Sequence, residues 1–201
     1  MRIALGQINS TVGDLRRNAD KIIAFSQRAA DRGAEAVVFP ELALNGYPPR
    51  DLVEKPSFVE RTGVELERIA SETATLSTSV IVGYVGEACA SSGKRVTNSA
   101  AVIERGKAVF RQDKLLLPTY DVFDEARYFQ PAESETLACV HGCQTALTIC
   151  EDAWNDKQFW ERRLYPRDPV EELALAGAKC LISINASPYH MHKRDVRRKM
   201  F

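Results

Sequence analysis

Short apolar runs alternate with longer amphipathic stretches along the chain, and this pattern divides it into predicted strands and helices. Runs rich in β-branched residues predict strands at RIALGQI (2–8), AEAVVFP (34–40) and SVIVGYVGE (79–87). Leu15 to Arg32 carries apolar residues every three to four positions, and Gly33 follows it, which predicts a helix with a stop signal. A second helix is predicted over Val59 to Leu76, with three residues expected in the core: Val64, Ile69 and Leu76.

The later part of the chain adds two predicted hairpins, at 97–114 and 135–150, and one further strand at 178–187. Helices are predicted over Val170 to Ala176 and over 190–201. Strands that alternate with helices and then with hairpins combine parallel and antiparallel pairing, so the order of elements predicts an α/β fold with a mixed sheet.

The remaining features of the sequence concern an irregular segment, the size of the domain and the lack of a long apolar run. The turn-rich segment 41–58, ELALNGYPPRDLVEKPSF, is expected to form no single regular element. The 201 residues suffice for one sizeable domain or most of one. No apolar run approaches the roughly 18 residues of a membrane span, so no membrane partner is expected.

Charge and cysteine content narrow the class of protein. The 27 basic and 27 acidic residues balance, which gives no electrostatic case for nucleic acid as a partner. The basic run within 193–199 is expected to form a solvated face. Five scattered cysteines argue against a disulfide framework and favour a reducing, cytoplasmic location. The CVHGC sequence (139–143) has no fourth zinc ligand at a normal spacing, so no metal site is expected.

Three predicted strands end on side chains that carry acid–base or nucleophilic chemistry. Glu41 follows the AVVFP strand, Lys114 follows AVFRQD, and Cys150 ends the TALTIC run. Loops at the carboxyl ends of strands converge in α/β proteins, so we expect a carboxylate, an ammonium and a thiol at one place.

Such a trio is chemically sufficient for amide hydrolysis. Glu41 would take the thiol proton and return it to a leaving amine. Lys114 would lower the thiol pKa and stabilise an oxyanion, with the N–H of Glu151 as a second donor. Glu151 and Asp152 are expected to orient neighbouring groups. The spacing alone leaves a structural interpretation open, in which Cys150 is a core thiol and the other two are loop and strand-end charges.

Three segments around these residues, FPELALNGYPPRDL, KLLLPTYDVFDEARYF and ICEDAW, resemble the signature segments of the nitrilase or carbon–nitrogen hydrolase superfamily. The resemblance implies an α-β-β-α sandwich, with mixed sheets flanked by helices, and a catalytic triad of Glu41, Lys114 and Cys150. The runs GYPPRDL, PTYDVFDEARYF and NASPYHMHKRDVRR resemble one branch more closely, the amino-terminal glutaminase domains of bacterial glutamine-dependent NAD synthetases.

The resemblance also implies a binding site for glutamine. Tyr120 matches a glutamine-contacting tyrosine of that branch. Ser187 and Lys193 match its glutamine-binding serine and the basic residue that follows.

Further residues are implied around the triad. Glu125 matches a glutamate that holds the lysine and assists proton transfer. Tyr47 and Phe123 are candidate walls of the pocket. Because a free amino acid carries an ammonium group, we expect Glu125 or Glu151 to receive it.

The activity implied by the resemblance is hydrolysis of the glutamine side-chain amide through a cysteine thioester. The ammonia would pass to a carboxy-terminal synthetase domain that converts nicotinic acid adenine dinucleotide to NAD with ATP and Mg²⁺. That domain is expected to lie outside residues 1–201, which are expected to form an incomplete hydrolase domain without a cofactor. A homo-oligomer is also implied.

Two other functions stay open. A stand-alone amidase of the same superfamily, acting on an ω-amide or N-carbamoyl compound, would use the same triad. The second alternative is a non-catalytic scaffold used for assembly, and the intact triad argues against it.

Overall fold

A computed structural model describes residues 1–89 and 92–200. The eight strands found there are β1 (Ile3–Leu5), β2 (Ala36–Val38), β3 (Ser79–Glu87), β4 (Val96–Glu104), β5 (Lys107–Asp113), β6 (Ala138–Val140), β7 (Cys143–Ile149) and β8 (Cys180–Ile184). The helices are α1 (Leu15–Asp31), α2 (Pro56–Glu72), α3 (Glu125–Tyr128), α4 (Pro169–Leu175) and α5 (Lys193–Met200). Two short 3₁₀ helices cover Arg50–Glu54 and Cys150–Ala153.

The strands form two mixed sheets. The larger has the order β1-β2-β3-β4-β5, in which β1, β2 and β3 are parallel and the two hairpin partners β4 and β5 are antiparallel to their neighbours. The smaller has the order β6-β7-β8, with β6 antiparallel and β8 parallel to β7. The predicted combination of parallel and antiparallel pairing is therefore confirmed, but it is distributed over two sheets.

Two apolar layers hold the fold together. One lies between the larger sheet and helices α1 and α2, and includes Ile22, Phe39 and Ile69. The other lies between the two sheets, where Val38 and Ile81 of the larger sheet share a cluster with residues of the smaller one: Leu147, Ile149, Ile182 and Ile184. Burying a large aliphatic side chain stabilises a fold by roughly 1.5–3 kcal/mol, so these layers fix how the sheets face each other.

The larger sheet brings two of the predicted strand ends to the same edge. Strand β5 is antiparallel to β4, which is antiparallel to β3, so β5 runs in the same direction as β2. Glu41 follows β2 and Lys114 follows β5. Both residues therefore lie at the same edge of the sheet, where these two strands end. Cys150 leaves β7 of the facing sheet.

The first predicted helix is confirmed over Leu15–Asp31, and the second is displaced. Helix α2 begins at Pro56 and ends at Glu72, so Leu76 lies in the turn beyond it and is only half-buried. Proline is favoured in a first helical turn because its missing N–H has no intrahelical partner there. Ile69 is buried as predicted, but Val64 is wrong as a core residue, since it is 62% exposed on the outer face of the helix.

Other boundaries also differ from the pattern-based prediction. The first strand is limited to Ile3–Leu5, and the turn-rich segment contains the 3₁₀ helix Arg50–Glu54. Helix α5 begins at Lys193, and the last residue predicted for it, Phe201, lies outside the described residues. In the described part of the chain we find no helix with the length and apolar character needed to cross a membrane.

Gly83 allows the turn that carries Glu41 to pack directly against β3. A Cβ atom at Gly83 would lie 2.4 Å from the Leu42 nitrogen, 2.6 Å from the Pro40 oxygen and 2.8 Å from the Glu41 Cα. The turn is also bonded to this strand, because the Leu44 N–H donates to the Gly83 carbonyl at 3.1 Å. Only glycine leaves room for this approach of two backbones.

We therefore predict opposite effects for two glycine-to-alanine changes. Gly83→Ala should lower the free energy of unfolding by about 2 kcal/mol or more, because the methyl group clashes with backbone that cannot move independently. Gly63→Ala is the matched control, since a Cβ there meets nothing within 4 Å. It lies inside α2 and should raise stability by about 1 kcal/mol. Urea unfolding of both variants measures the difference, and equal midpoints would contradict this account of the Glu41 turn.

Candidate active site

Lys114 is the centre of the site, and it is completely buried (0% exposed). Its Nζ donates to Glu41 Oε1 at 2.8 Å, and to the two carboxylate oxygens of Glu125 at 2.9 Å and 2.8 Å. Charge-assisted bonds of this length are the strong ones. The structure thus brings together the predicted lysine, the predicted base and the glutamate that was expected to hold the lysine.

Neutral donors complete the coordination of the two carboxylates. The Asn98 amide on β4 donates to Glu41 Oε1 at 2.8 Å and to Glu125 Oε2 at 3.4 Å. The Tyr47 hydroxyl donates to Glu125 Oε1 at 2.8 Å, and the Ala186 N–H donates to Glu41 Oε2 at 2.9 Å. Tyr47, predicted as a pocket wall, therefore also holds Glu125. Sequence reasoning missed Asn98, because an asparagine inside a strand carries no motif that distinguishes it.

The charges in this cluster stabilise the lysine in its protonated form. Burial alone would lower the Lys114 pKa, but the carboxylates of Glu41 and Glu125 outweigh burial and hold it well above its usual value. Burial raises the Glu125 pKa, while Lys114 opposes that shift. The ammonium is consequently a permanent positive charge close to Cys150.

Cys150 stands at the turn between β7 and a 3₁₀ helix. Its backbone has a φ of 50°, in the left-handed region that non-glycine residues rarely adopt. Its side chain is 5% exposed, and the sulfur lies 3.4 Å from the Ser187 hydroxyl oxygen. Strained backbone of this kind is typical of functional positions.

The environment of Cys150 raises its pKa to about 12, first through burial and then through the negative charge of Glu41. Lys114, Ser187 and the Ala186 N–H lower the pKa but do not compensate. Lys114 therefore lowers the thiol pKa as expected, but burial and Glu41 outweigh its effect. Burial has the largest effect, because the sulfur has little contact with water, and the negative charge of Glu41 adds to it.

Asp152 connects the segments that carry Lys114 and Cys150. Its carboxylate is fully buried and accepts bonds from the N–H groups of Leu115 at 3.0 Å, Leu116 at 2.7 Å and Ile149 at 3.1 Å. Burial raises the Asp152 pKa to about 7 against the lowering effect of these donors. The prediction that a carboxylate after the cysteine orients its neighbours agrees with this geometry.

Glu151, unlike Asp152, accepts hydrogen bonds from two tyrosine side chains. It is 4% exposed, and its carboxylate accepts from the Tyr120 hydroxyl at 2.8 Å on either oxygen and from Tyr165 at 3.0 Å. The ring of Phe123 packs edge-on against Tyr120, with centroids 5.7 Å apart, and lies 6.4 Å from the Tyr47 ring. These contacts form the aromatic side of the site, and only Tyr165 among them was not predicted.

Lys193, the first residue of α5, lies against Trp154, which follows the 3₁₀ helix that begins at Cys150. Its Nζ is 5.3 Å from the ring centroid of Trp154, and Arg197 approaches the same ring at 5.9 Å. Burial lowers the Lys193 pKa. The basic run is thus not wholly solvated, because two of its residues share a tryptophan through cation–π contacts.

The comparisons with known proteins agree with this geometry. The family model for carbon–nitrogen hydrolases matches residues 2–194. A glutamine-dependent NAD(+) synthetase of Synechocystis sp. is 41% identical over 98% of this chain and 36% of its own length. The chain spans about a third of the length of such relatives.

Solved structures give the same result for the fold. A glutamine-dependent NAD+ synthetase from Acinetobacter baumannii superposes with a TM-score of 0.81 at 28% identity, over 98% of this chain and 34% of that one. An amidase of the nitrilase superfamily from Nesterenkonia AN1 reaches 0.77 at 22% identity, over 96% and 68%. The predicted fold class and both resemblances are confirmed, and the chain belongs to the carbon–nitrogen hydrolase family.

Proposed function

We propose that this chain is the glutaminase part of a glutamine-dependent NAD synthetase and releases ammonia from the glutamine side chain. The observation that carries the proposal is the buried Lys114–Glu41 ion pair beside Cys150, since the Ala186 N–H bonds to Glu41 and also approaches the Cys150 sulfur. The names of the relatives supply the substrate, since they are glutamine-dependent enzymes. These relatives are about three times longer than this chain, so the parent enzyme would carry a further domain.

In the proposed reaction the Cys150 sulfur attacks the amide carbon while its proton passes to Glu41. The carbonyl oxygen becomes an oxyanion, which Lys114 and the N–H of Glu151 stabilise. Glu41 then gives the proton to the leaving nitrogen, so that ammonia departs and a thioester remains. A water molecule that Glu41 deprotonates hydrolyses the thioester and releases glutamate. The high thiol pKa requires proton transfer to accompany the attack.

The substrate would lie along the aromatic side of the site. Glu151, held by Tyr120, would receive the α-ammonium group, and Ser187 and Lys193 would hold the carboxylate. Phe123 would border the aliphatic part of glutamine, packed between Tyr120 and Tyr47. Glu125 would hold Lys114 rather than the substrate, since its carboxylate already accepts from three side chains.

The remaining parts of the proposal concern the parent enzyme. Residues 1–201 would be its hydrolase domain, and a carboxy-terminal domain would use ATP and Mg²⁺ to amidate nicotinic acid adenine dinucleotide. A cytoplasmic location fits the five free cysteines, and the parent enzyme would be a homo-oligomer. The stand-alone amidase alternative rests on the likeness to the Nesterenkonia enzyme, which at 22% identity concerns the fold alone.

Cys150→Ala in the full-length protein should separate the release of ammonia from glutamine from the use of ammonia in NAD formation. Glutamine-driven NAD formation should fall by about 10³-fold or more, because no thioester can form. NAD formation driven by added ammonia should be unchanged, since ammonia bypasses the hydrolase site. Cys89→Ala, at an exposed cysteine, is the control. Survival of glutamine-driven synthesis in Cys150→Ala would exclude the assigned role.

The raised pKa of Cys150 predicts a pH-dependent reactivity in the absence of substrate. Only the thiolate reacts with a neutral maleimide, so labelling of Cys150 should accelerate about tenfold per pH unit between pH 7 and 9. Mass spectrometry of the labelled peptide measures the rate. Glutamine hydrolysis should not follow this slope, because Glu41 accepts the proton when substrate is bound. A labelling rate that is constant over this range would show that the thiolate already exists.

A further inference from the structure

Tyr165 reaches the active site from the loop between the nucleophile turn and α4. Its hydroxyl donates to Glu151 Oε1 at 3.0 Å. The loop is braced by the buried Asn155, whose amide donates to the Tyr165 carbonyl at 2.9 Å and to the Arg167 carbonyl. The Asn155 carbonyl oxygen accepts from the Tyr165 N–H at 3.3 Å. The tyrosine is therefore held at both its backbone and its hydroxyl.

Glu151 has an unusual set of partners for a buried carboxylate. In residues 1–89 and 92–200 its side-chain bonds come from two phenols, and no lysine or arginine nitrogen lies within 4 Å of it. Buried carboxylates are normally paired with a cation, because neutral donors offset only part of the desolvation cost. Since a carboxylate has about four acceptor positions, the two hydroxyls leave capacity for a cationic ligand.

The two tyrosines differ in how firmly they are held. Tyr120 is 43% exposed, and its hydroxyl lies at 2.8 Å from both oxygens of Glu151. Tyr165 bonds to one oxygen only and is fixed by Asn155. Tyr165 is thus fixed through its backbone as well as its hydroxyl, whereas Tyr120 bonds to both oxygens from a more exposed position.

We propose that Tyr165 is a positioning residue that orients Glu151 toward the α-ammonium group of the substrate and so selects amino-acid amides over ω-amides without an α-amino group. This inference rests on the proposed function and deepens it. The sequence motifs around the triad do not include Tyr165, which lies 15 residues beyond Cys150. Its contribution is to substrate selection, because its hydroxyl bonds to Glu151 and not to the sulfur or the Lys114 cluster.

The test compares two substrates of the full-length enzyme: glutamine, and glutaramate, which is glutamine without the α-amino group. For Tyr165→Phe we expect KM for glutamine to rise about tenfold, because Glu151 loses a donor that fixes its orientation. The glutamine kcat should fall much less, and KM for glutaramate should change less than twofold. The preference of wild type for glutamine, as a ratio of kcat/KM values, should therefore drop about tenfold.

Two further variants make the result specific. Tyr128→Phe, at a half-buried tyrosine on α3, is the matched control and should leave both KM values unchanged. Glu151→Gln should also reduce the preference for glutamine. Adding Tyr165→Phe to Glu151→Gln should then produce little further loss, because the tyrosine acts through that carboxylate.

Each alternative outcome contradicts the inference in a recognisable way. An equal rise of KM for both substrates would assign Tyr165 to loop anchoring alone. Full additivity of the two substitutions would show that Tyr165 acts independently of Glu151. If wild type already prefers glutaramate, the proposed glutaminase function fails and the role of Tyr165 fails with it.

Discussion

Lys114 loses all contact with water while its ammonium group lies between two carboxylates. Removing such ions from water costs several kcal/mol each, and their attraction offsets that cost only when the geometry is good and every remaining polar atom has a partner. The bonds of 2.8–2.9 Å to Glu41 and Glu125 meet the first condition. Donors from Asn98, Tyr47 and Ala186 stabilise the carboxylate charge that exceeds the single lysine charge.

Burial and the neighbouring charges together determine the protonation state of Cys150. Lys114 by itself lowers the Cys150 pKa, but burial and then the charge of Glu41 outweigh it and raise that pKa to about 12. A free thiolate would react with many electrophiles. A protonated thiol next to a base reacts only when a substrate carbonyl is in place and the base can accept the proton. In the proposed reaction, this arrangement favours attack coupled to proton transfer over a pre-ionised cysteine.

The backbone holds this cluster through features that lie outside the triad. Gly83 allows the Glu41 turn to touch β3, and Asp152 joins the segment after Lys114 to the strand before Cys150. The left-handed backbone of Cys150 directs the chain into the turn that presents Glu151. Strain and close approach at these points are tolerated because the two apolar layers on either side fix the sheets.

Local pattern was sufficient to identify the strands and the first helix, although strands such as β1 end earlier than predicted. Apolar periodicity and turn residues act over a few neighbouring positions. The positions of Glu41, Lys114 and Cys150 after strands followed from this pattern, and the motifs around them indicated the family. The pKa of Cys150, the outward face of Val64, and the contacts of Asn98 and Tyr165 could not be obtained that way. Each of these is set by charges or packing partners that are distant in the chain, and such partners become neighbours only when the two sheets and their loops are assembled.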